Sequence, residues 1–213
     1  MNTQNIFGRY IVLAASMMLA VGVSYATDHA VISDSTTYPL ATCPVTGQSL
    51  DAMGGAVIET IDDREVRFCC AGCIGRYRAD IETYAAAIDA AVIEQQREHY
   101  PTDQCVVMNT ELGSMGAPVE YVHHNRLVRF CCAGCVSRFE QNPEQYLTKL
   151  DAAAVEKAQA AGIPDTCAVT GEALGDTPTA LVIANQVLWL HTEACAAEIR
   201  KDPPQYLHAD AEE

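Results

Sequence analysis

The octapeptide VRFCCAGC stands at residues 66–73 and again, letter for letter, at residues 128–135. The copies lie 62 residues apart (128 − 66), and the same offset carries Cys43 onto Cys105, Cys69 onto Cys131 and Cys73 onto Cys135. Each copy is therefore one cysteine followed about two dozen residues later by a cysteine pair at i and i+4. A third copy has drifted. It opens as CAVTGEALG from residue 167, close to CPVTGQSLD from residue 43, and closes on PPQYL where the second copy closes on NPEQYL. Aligning Pro203 with Pro143 sets His191 opposite Cys131 and Cys195 opposite Cys135. Cysteine and histidine both ligate soft or borderline metals, whereas only cysteine forms a disulfide. The exchange favours a metal over a cross-link.

Working outward, residues 1–26 read as an export signal: a polar start with Arg9, an apolar run over residues 11–23, then Ser24-Tyr25-Ala26 with small residues at the first and third positions before a cut. The run is shorter than the roughly 18 residues of a membrane span, and no second apolar run follows, so no span is expected after signal removal. Removal leaves 187 residues (213 − 26), which the repeat divides into three modules instead of one large core. Modules of that size need a staple, and ten cysteines can supply it as ligands or disulfides. A net charge of −15 and a pI near 4.6 exclude nucleic acid as a partner, because phosphate binding draws on clustered Lys and Arg. Export to the periplasm is the expected location.

The expected fold class is α+β: three small treble-clef-like modules, each a knuckle, a β-hairpin and a helix, joined by alanine-rich helices. Residues 27–40 are polar and mixed and read as a flexible leader. Module 1 spans 41–84, a helical spacer 85–102, module 2 103–147, a second spacer 148–164, and the divergent module 3 165–208. Turn residues Pro44, Gly47 and Gly171 suit the knuckles. Paired apolar strands are expected at 56–61 with 65–68, 119–123 with 127–130, and 180–183 with 187–190. The hairpin turns are Asp62-Asp63-Arg64, His124-Asn125-Arg126 and Ala184-Asn185-Gln186. A helix start follows each ligand pair. A second helical segment is signalled by Asn142 as cap, Pro143 in the first helical position and Gln145 behind them, with Asp80 as the cap in module 1. The spacers are expected to pack on the modules.

Cysteines at i and i+4 on one helix share a face, and a thiol in a helix's first turn feels amides and a dipole that favour thiolate. The knuckle cysteine can swing back to complete a site. The ligand sets are Cys43, Cys69 and Cys73; Cys105, Cys131 and Cys135; and Cys167, His191 and Cys195, with Cys70 and Cys132 as supplementary candidates. Three thiolates without a common fourth ligand suit Cu(I), Hg(II) or Cd(II), and Zn(II) if water or a neighbour completes it.

The pattern of Cys43 with Phe68-Cys69 and Cys73, repeated as Cys105 with Phe130-Cys131 and Cys135 and followed by Tyr84 and Tyr146, resembles the TRASH/YHS-type heavy-metal-binding domains. The resemblance covers most of residues 41–84 and 103–147 and, more loosely, 165–207, where His191 departs from it. It implies metal trafficking, resistance or sensing with copper or zinc, up to three ions of Cu(I) or Zn(II), and a metal-transfer protein as partner.

Two other uses of the same cysteines remain open. Cys70-Ala71-Gly72-Cys73 and Cys132-Ala133-Gly134-Cys135 are C-x-x-C pairs at helix starts, the arrangement of thiol redox motifs, although Thr192 takes the first thiol's place in module 3. A disulfide-stapled scaffold is the second. No nucleophile with a base, acid/base pair or phosphate loop points to an enzyme. If the signal is cut after Ala26, His29 becomes the third residue of the chain and can close a square-planar Cu(II) site. His123 or His124 is a further candidate ligand in module 2, although each reads first as a surface residue at a hairpin end. Trp189, Met53 and Met115 read as packing residues.

Overall fold

The computed structural model describes residues 29–207. The export signal expected at residues 1–26 lies outside them, as do residues 27, 28 and 208–213. The architecture is α+β, and the repeat recurs in it as three hairpins, each feeding a short helix. Strands β2 (Val57–Ile61) and β3 (Arg64–Phe68) lead into helix α1 (Gly72–Ala79). Strands β4 (Val119–His123) and β5 (Arg126–Phe130) lead into α3 (Gly134–Gln141), and β6 (Thr179–Ile183) and β7 (Gln186–Leu190) into α5 (Ala194–Lys201). The pairing closes Ile61 on Arg64, His123 on Arg126 and Ile183 on Gln186, so each loop holds two residues. Asp62 and Asp63 have φ of 51° and 60°, and Ala184 and Asn185 of 50° and 63°. Two left-handed residues in a two-residue loop match the right-handed twist of the strands. Asp and Asn take that conformation readily. Ala184 is held in it at a cost of about 1 kcal/mol by burial in the module 3 core.

Helices α2 (Ile81–Arg97) and α4 (Pro143–Ala161) begin inside their modules and run on as the spacers, so the boundaries expected at 85 and 148 fall within continuous helices. The caps set these starts. Asp80 accepts from the Thr83 amide at 3.3 Å, while Asn142 has the cap backbone but turns its side-chain amide to Gln145 Oε1 at 3.2 Å. A final turn, α6 (Pro204–Leu207), repeats the motif.

Each module has its own core built around its cysteines. In module 2, Phe130 packs against Phe139 with centroids 5.5 Å apart, beside Cys105, Cys131 and Cys135. Each such ring contributes about 2 to 3 kcal/mol by burial. The spacers also pack: Ala154 and Val155 of α4 lie against Ala180, Val182 and Trp189, which is 4% exposed. Met53 and Met115, in contrast, are each 66% exposed. They follow short turns with glycines behind them, which lift them off the core.

A polar contact recurs between modules. Arg64 Nε donates to Asn125 Oδ1 at 2.7 Å and its Nη1 to Asp89 at 2.7 Å. Arg126 does the same with Asn185 at 2.8 Å and Asp151 at 2.5 Å. Module 1 also reaches module 3, where Arg67 donates to the carbonyls of Arg200 and Lys201 at the end of α5, the negative end of its dipole.

The flexible leader expected at 27–40 is corrected. Residues Val31–Asp34 form strand β1, parallel to β6, giving a sheet in the order β1-β6-β7. Val31 and Ile32 suit a strand, and the edge of β6 supplies the partner. Asp34 then locks the chain: it accepts from the Thr37 amide at 3.0 Å and from Arg200 Nε at 2.6 Å. Tyr38 is fully buried and donates to the Thr42 carbonyl at 2.9 Å. Among the described residues no helix is long and apolar enough to cross a membrane.

Candidate metal centres

The knuckles share one backbone. The Cys43 amide donates to the Gln48 carbonyl and the Gly47 amide back to the Cys43 carbonyl, both at 2.8 Å. Cys105 with Thr110 and Asn109, and Cys167 with Glu172 and Gly171, repeat the pair at 2.8 to 3.0 Å. The return requires a left-handed residue, with φ of 69° at Gly47, 53° at Asn109 and 68° at Gly171. This brings each knuckle cysteine against the far end of its hairpin.

Three groups result: Cys43, Cys69 and Cys73; Cys105, Cys131 and Cys135; and Cys167, His191 and Cys195, with all donor atoms of a group within 4.8 Å of one another. Each group can hold a metal ion. Cys69 and Cys73 sulfurs are 3.8 Å apart, as are those of Cys131 with Cys135 and Cys167 with Cys195. Bonds of about 2.3 Å to one ion set sulfurs about 3.8 Å apart in a tetrahedron and about 4.0 Å apart in a trigonal plane. The spacing fits both. The eight ligand cysteines are at most 6% exposed.

The pair does not lie on one helix as expected. Cys69 sits in the bend between β3 and α1, and only Cys73 is helical. Tight turns, with the Cys73 amide on the Cys70 carbonyl at 3.1 Å, fold the bend so that the two sulfurs still meet. The helix start does not give the acidic thiol either. Burial, then sharing of hydrogen bonds with Cys70, Cys43 and Cys69, pushes Cys73 up to about 12. Cys135 is pushed up for the same reasons. At the first knuckle burial opposes ionisation, but the Cys69 amide, the Thr46 hydroxyl and the Val45 and Thr46 amides bring Cys43 down to about 7. In module 3, against burial, the His191 side chain and three amides bring Cys167 to about 6.

His191 stands among the donor atoms of module 3. Its Nδ1 is 3.4 Å from Cys195 Sγ and its Nε2 is 3.2 Å from Glu172. A carboxylate on one ring nitrogen holds the proton there and leaves the other lone pair for an ion. Glu172 was missed by sequence reading, as was the residue three after each knuckle cysteine: Thr46 Oγ1 is 3.4 Å from Cys69 Sγ and Thr170 Oγ1 3.4 Å from His191 Nδ1. Aligning the knuckles would have marked that position.

The supplementary candidates stand beside the groups. Cys70 and Cys132 are half-buried, their sulfurs 3.7 Å from Cys73 and Cys135 but outside the mutual 4.8 Å set. Hydrogen bonds, first to the side chains of Cys73 and Cys135, hold both thiols below their ordinary value. His123 and His124 stack on each other at 4.1 Å, away from any donor group. His123 packs edge-on against Phe139 at 5.2 Å, and burial pushes it down to about 4. His29, the candidate for a terminal copper site, packs edge-on against Trp189 at 5.3 Å with both ring nitrogens buried. Residues 27 and 28, which would complete that site, lie outside the described residues.

Comparison with family models, curated proteins and solved structures finds no match to this chain.

Proposed function

We propose that this is an exported, periplasmic metal-binding protein of the TRASH/YHS type, with three treble-clef modules that take up soft ions, Cu(I) first and Zn(II) next, and buffer them or pass them to a metal-transfer partner. The observation that carries this reading is the triplet itself: three donor groups, each within 4.8 Å, on one repeated scaffold. The Cys to His exchange adds support, since a histidine backed by Glu172 has a use toward an ion and none in a disulfide. Burial of the cysteines supports retention, and the lowered thiols of Cys43 and Cys167 supply ready thiolates for the first metal–sulfur bond.

A second reading, thiol redox, draws on Cys70 and Cys132, each a half-buried thiol within 3.7 Å of a deeper one. Native mass spectrometry of the protein purified without added reductant separates the two. Copper or zinc adducts that denaturation removes to leave free thiols would support metal binding. A metal-free mass lowered by pairs of hydrogens would sink it in favour of disulfide chemistry.

A further inference from the structure

The second site differs from the other two at its mouth. The residue three after the knuckle cysteine is Thr46 in module 1 and Thr170 in module 3, and each hydroxyl lies 3.4 Å from a ligand atom, Cys69 Sγ or His191 Nδ1. In module 2 that residue is Met108. The three knuckles share their hydrogen bonds and their left-handed return, so the Met108 Cβ starts from the same place as the two threonine Cβ atoms. A thioether sulfur stands one bond farther from Cβ than a hydroxyl oxygen does, on a chain with free rotation. It is long enough that rotation of the side chain would carry it past the ligand edge toward the centre of the group.

We propose that Met108 is a fourth ligand, through its thioether, of the Cys105, Cys131 and Cys135 site, and makes it the four-sulfur site of the three for Cu(I). This rests on the metal-binding reading above. The Met108 side chain is 47% exposed, with Sδ turned to Arg138 Nη1 at 3.2 Å. Arg138 is one helical turn past Cys135, so the sulfur already sits over the helix that carries a ligand. Rotation of the methionine exchanges this weak contact for a metal–sulfur bond. A neutral, soft thioether adds affinity for Cu(I) and little for Zn(II). The same four-donor site then prefers the monovalent ion, whereas module 3, with a nitrogen ligand and a carboxylate behind it, suits the divalent one.

The test is methyl NMR of the full chain carrying ¹³C-methyl methionine, titrated anaerobically with Cu(I) and separately with Zn(II), while thiolate-to-Cu(I) absorption reports uptake. Met108→Leu assigns the resonance. The expected result is that the Met108 methyl moves with Cu(I) uptake and not with Zn(II), while Met53 and Met115 stay fixed. Met108→Thr, which installs the residue of the other knuckles, should keep the fold and weaken Cu(I) retention at this site about tenfold. Growing absorption with a stationary Met108 methyl would overturn the proposal and leave metal binding intact. If no absorption grows, metal binding by the thiols fails and this assignment with it.

Discussion

Arg126 and Asn185, 59 residues apart in sequence, meet inside the molecule, Nε donating to Oδ1 at 2.8 Å. Arg64 and Asn125 meet the same way one module earlier at 2.7 Å. The hairpin tips of modules 2 and 3 thus each dock on the hairpin and spacer helix of the module before, which fixes the spacing of the sites. Gln186 holds the corresponding position in module 3, and its Nε2 is buried with no partner among the described residues. The series ends there.

Removing Arg126 leaves Asp151 as an unpaired carboxylate, since the two side chains are 0% and 6% exposed. Arg126→Ala should cost about 3 kcal/mol in urea unfolding, and Arg126→Ala with Asp151→Ala should recover part of it. An unchanged midpoint for the single variant would show that the contact does not hold the modules together.

The ligand assignment separates neighbouring cysteines. Cys131→Ser should lower the metal count by one ion per chain, because its sulfur belongs to the 4.8 Å group. Cys132→Ser should leave the count unchanged. Reversed results would move the site onto the C-x-x-C pair and strengthen the redox reading.

Glu172 is predicted to act on metal through His191. Glu172→Gln should weaken Zn(II) binding at module 3 about tenfold while modules 1 and 2 keep theirs. Isothermal titration of the variant gives the answer, and equal weakening at all sites would mean a folding defect instead. His191→Cys should shift module 3 toward Cu(I).

Asp34 should make the docking of β1 sensitive to acid. Burial pushes its carboxyl up, but Arg200 and Thr37 outweigh that and hold it below its ordinary value. A lowered carboxyl stabilises the fold above its unfolded value of about 3.9, and that stabilisation is lost as pH falls through the folded value below it. Asp34→Asn should therefore unfold more easily by about 2 kcal/mol at pH 6, with the difference from the parent closing as pH falls below the ordinary carboxylate range. A gap independent of pH would remove the charge from the explanation.

Much of the fold was legible because each local signal pointed to the same element. The repeated VRFCCAGC, the turn pairs and the Asp80 and Asn142 caps placed hairpins, helices and the nine grouped donors within a few residues of where they lie. What was illegible depends on distant parts of the chain. Residues 31–34 show no alternation of their own, and become a strand only because β6 offers a free edge. Arg64 and Asn125 read as turn residues until the modules are stacked. Glu172 looks like a solvated charge next to a knuckle glycine, and only the folded knuckle brings it to His191. The place of the low thiols was misjudged for a related reason: helix dipoles are visible in sequence, while crowding of sulfurs around Cys73 is not.

The parallel pairing of Val31 with Ala180 spans 149 positions (180 − 31), the longest strand pairing among the described residues. Contacts of such sequence separation form slowly, because the loop must be closed before any of them is rewarded. The segment made first therefore waits for the hairpin made last. The clasp between the two ends of the chain is expected to close after the local hairpins of modules 1 and 2.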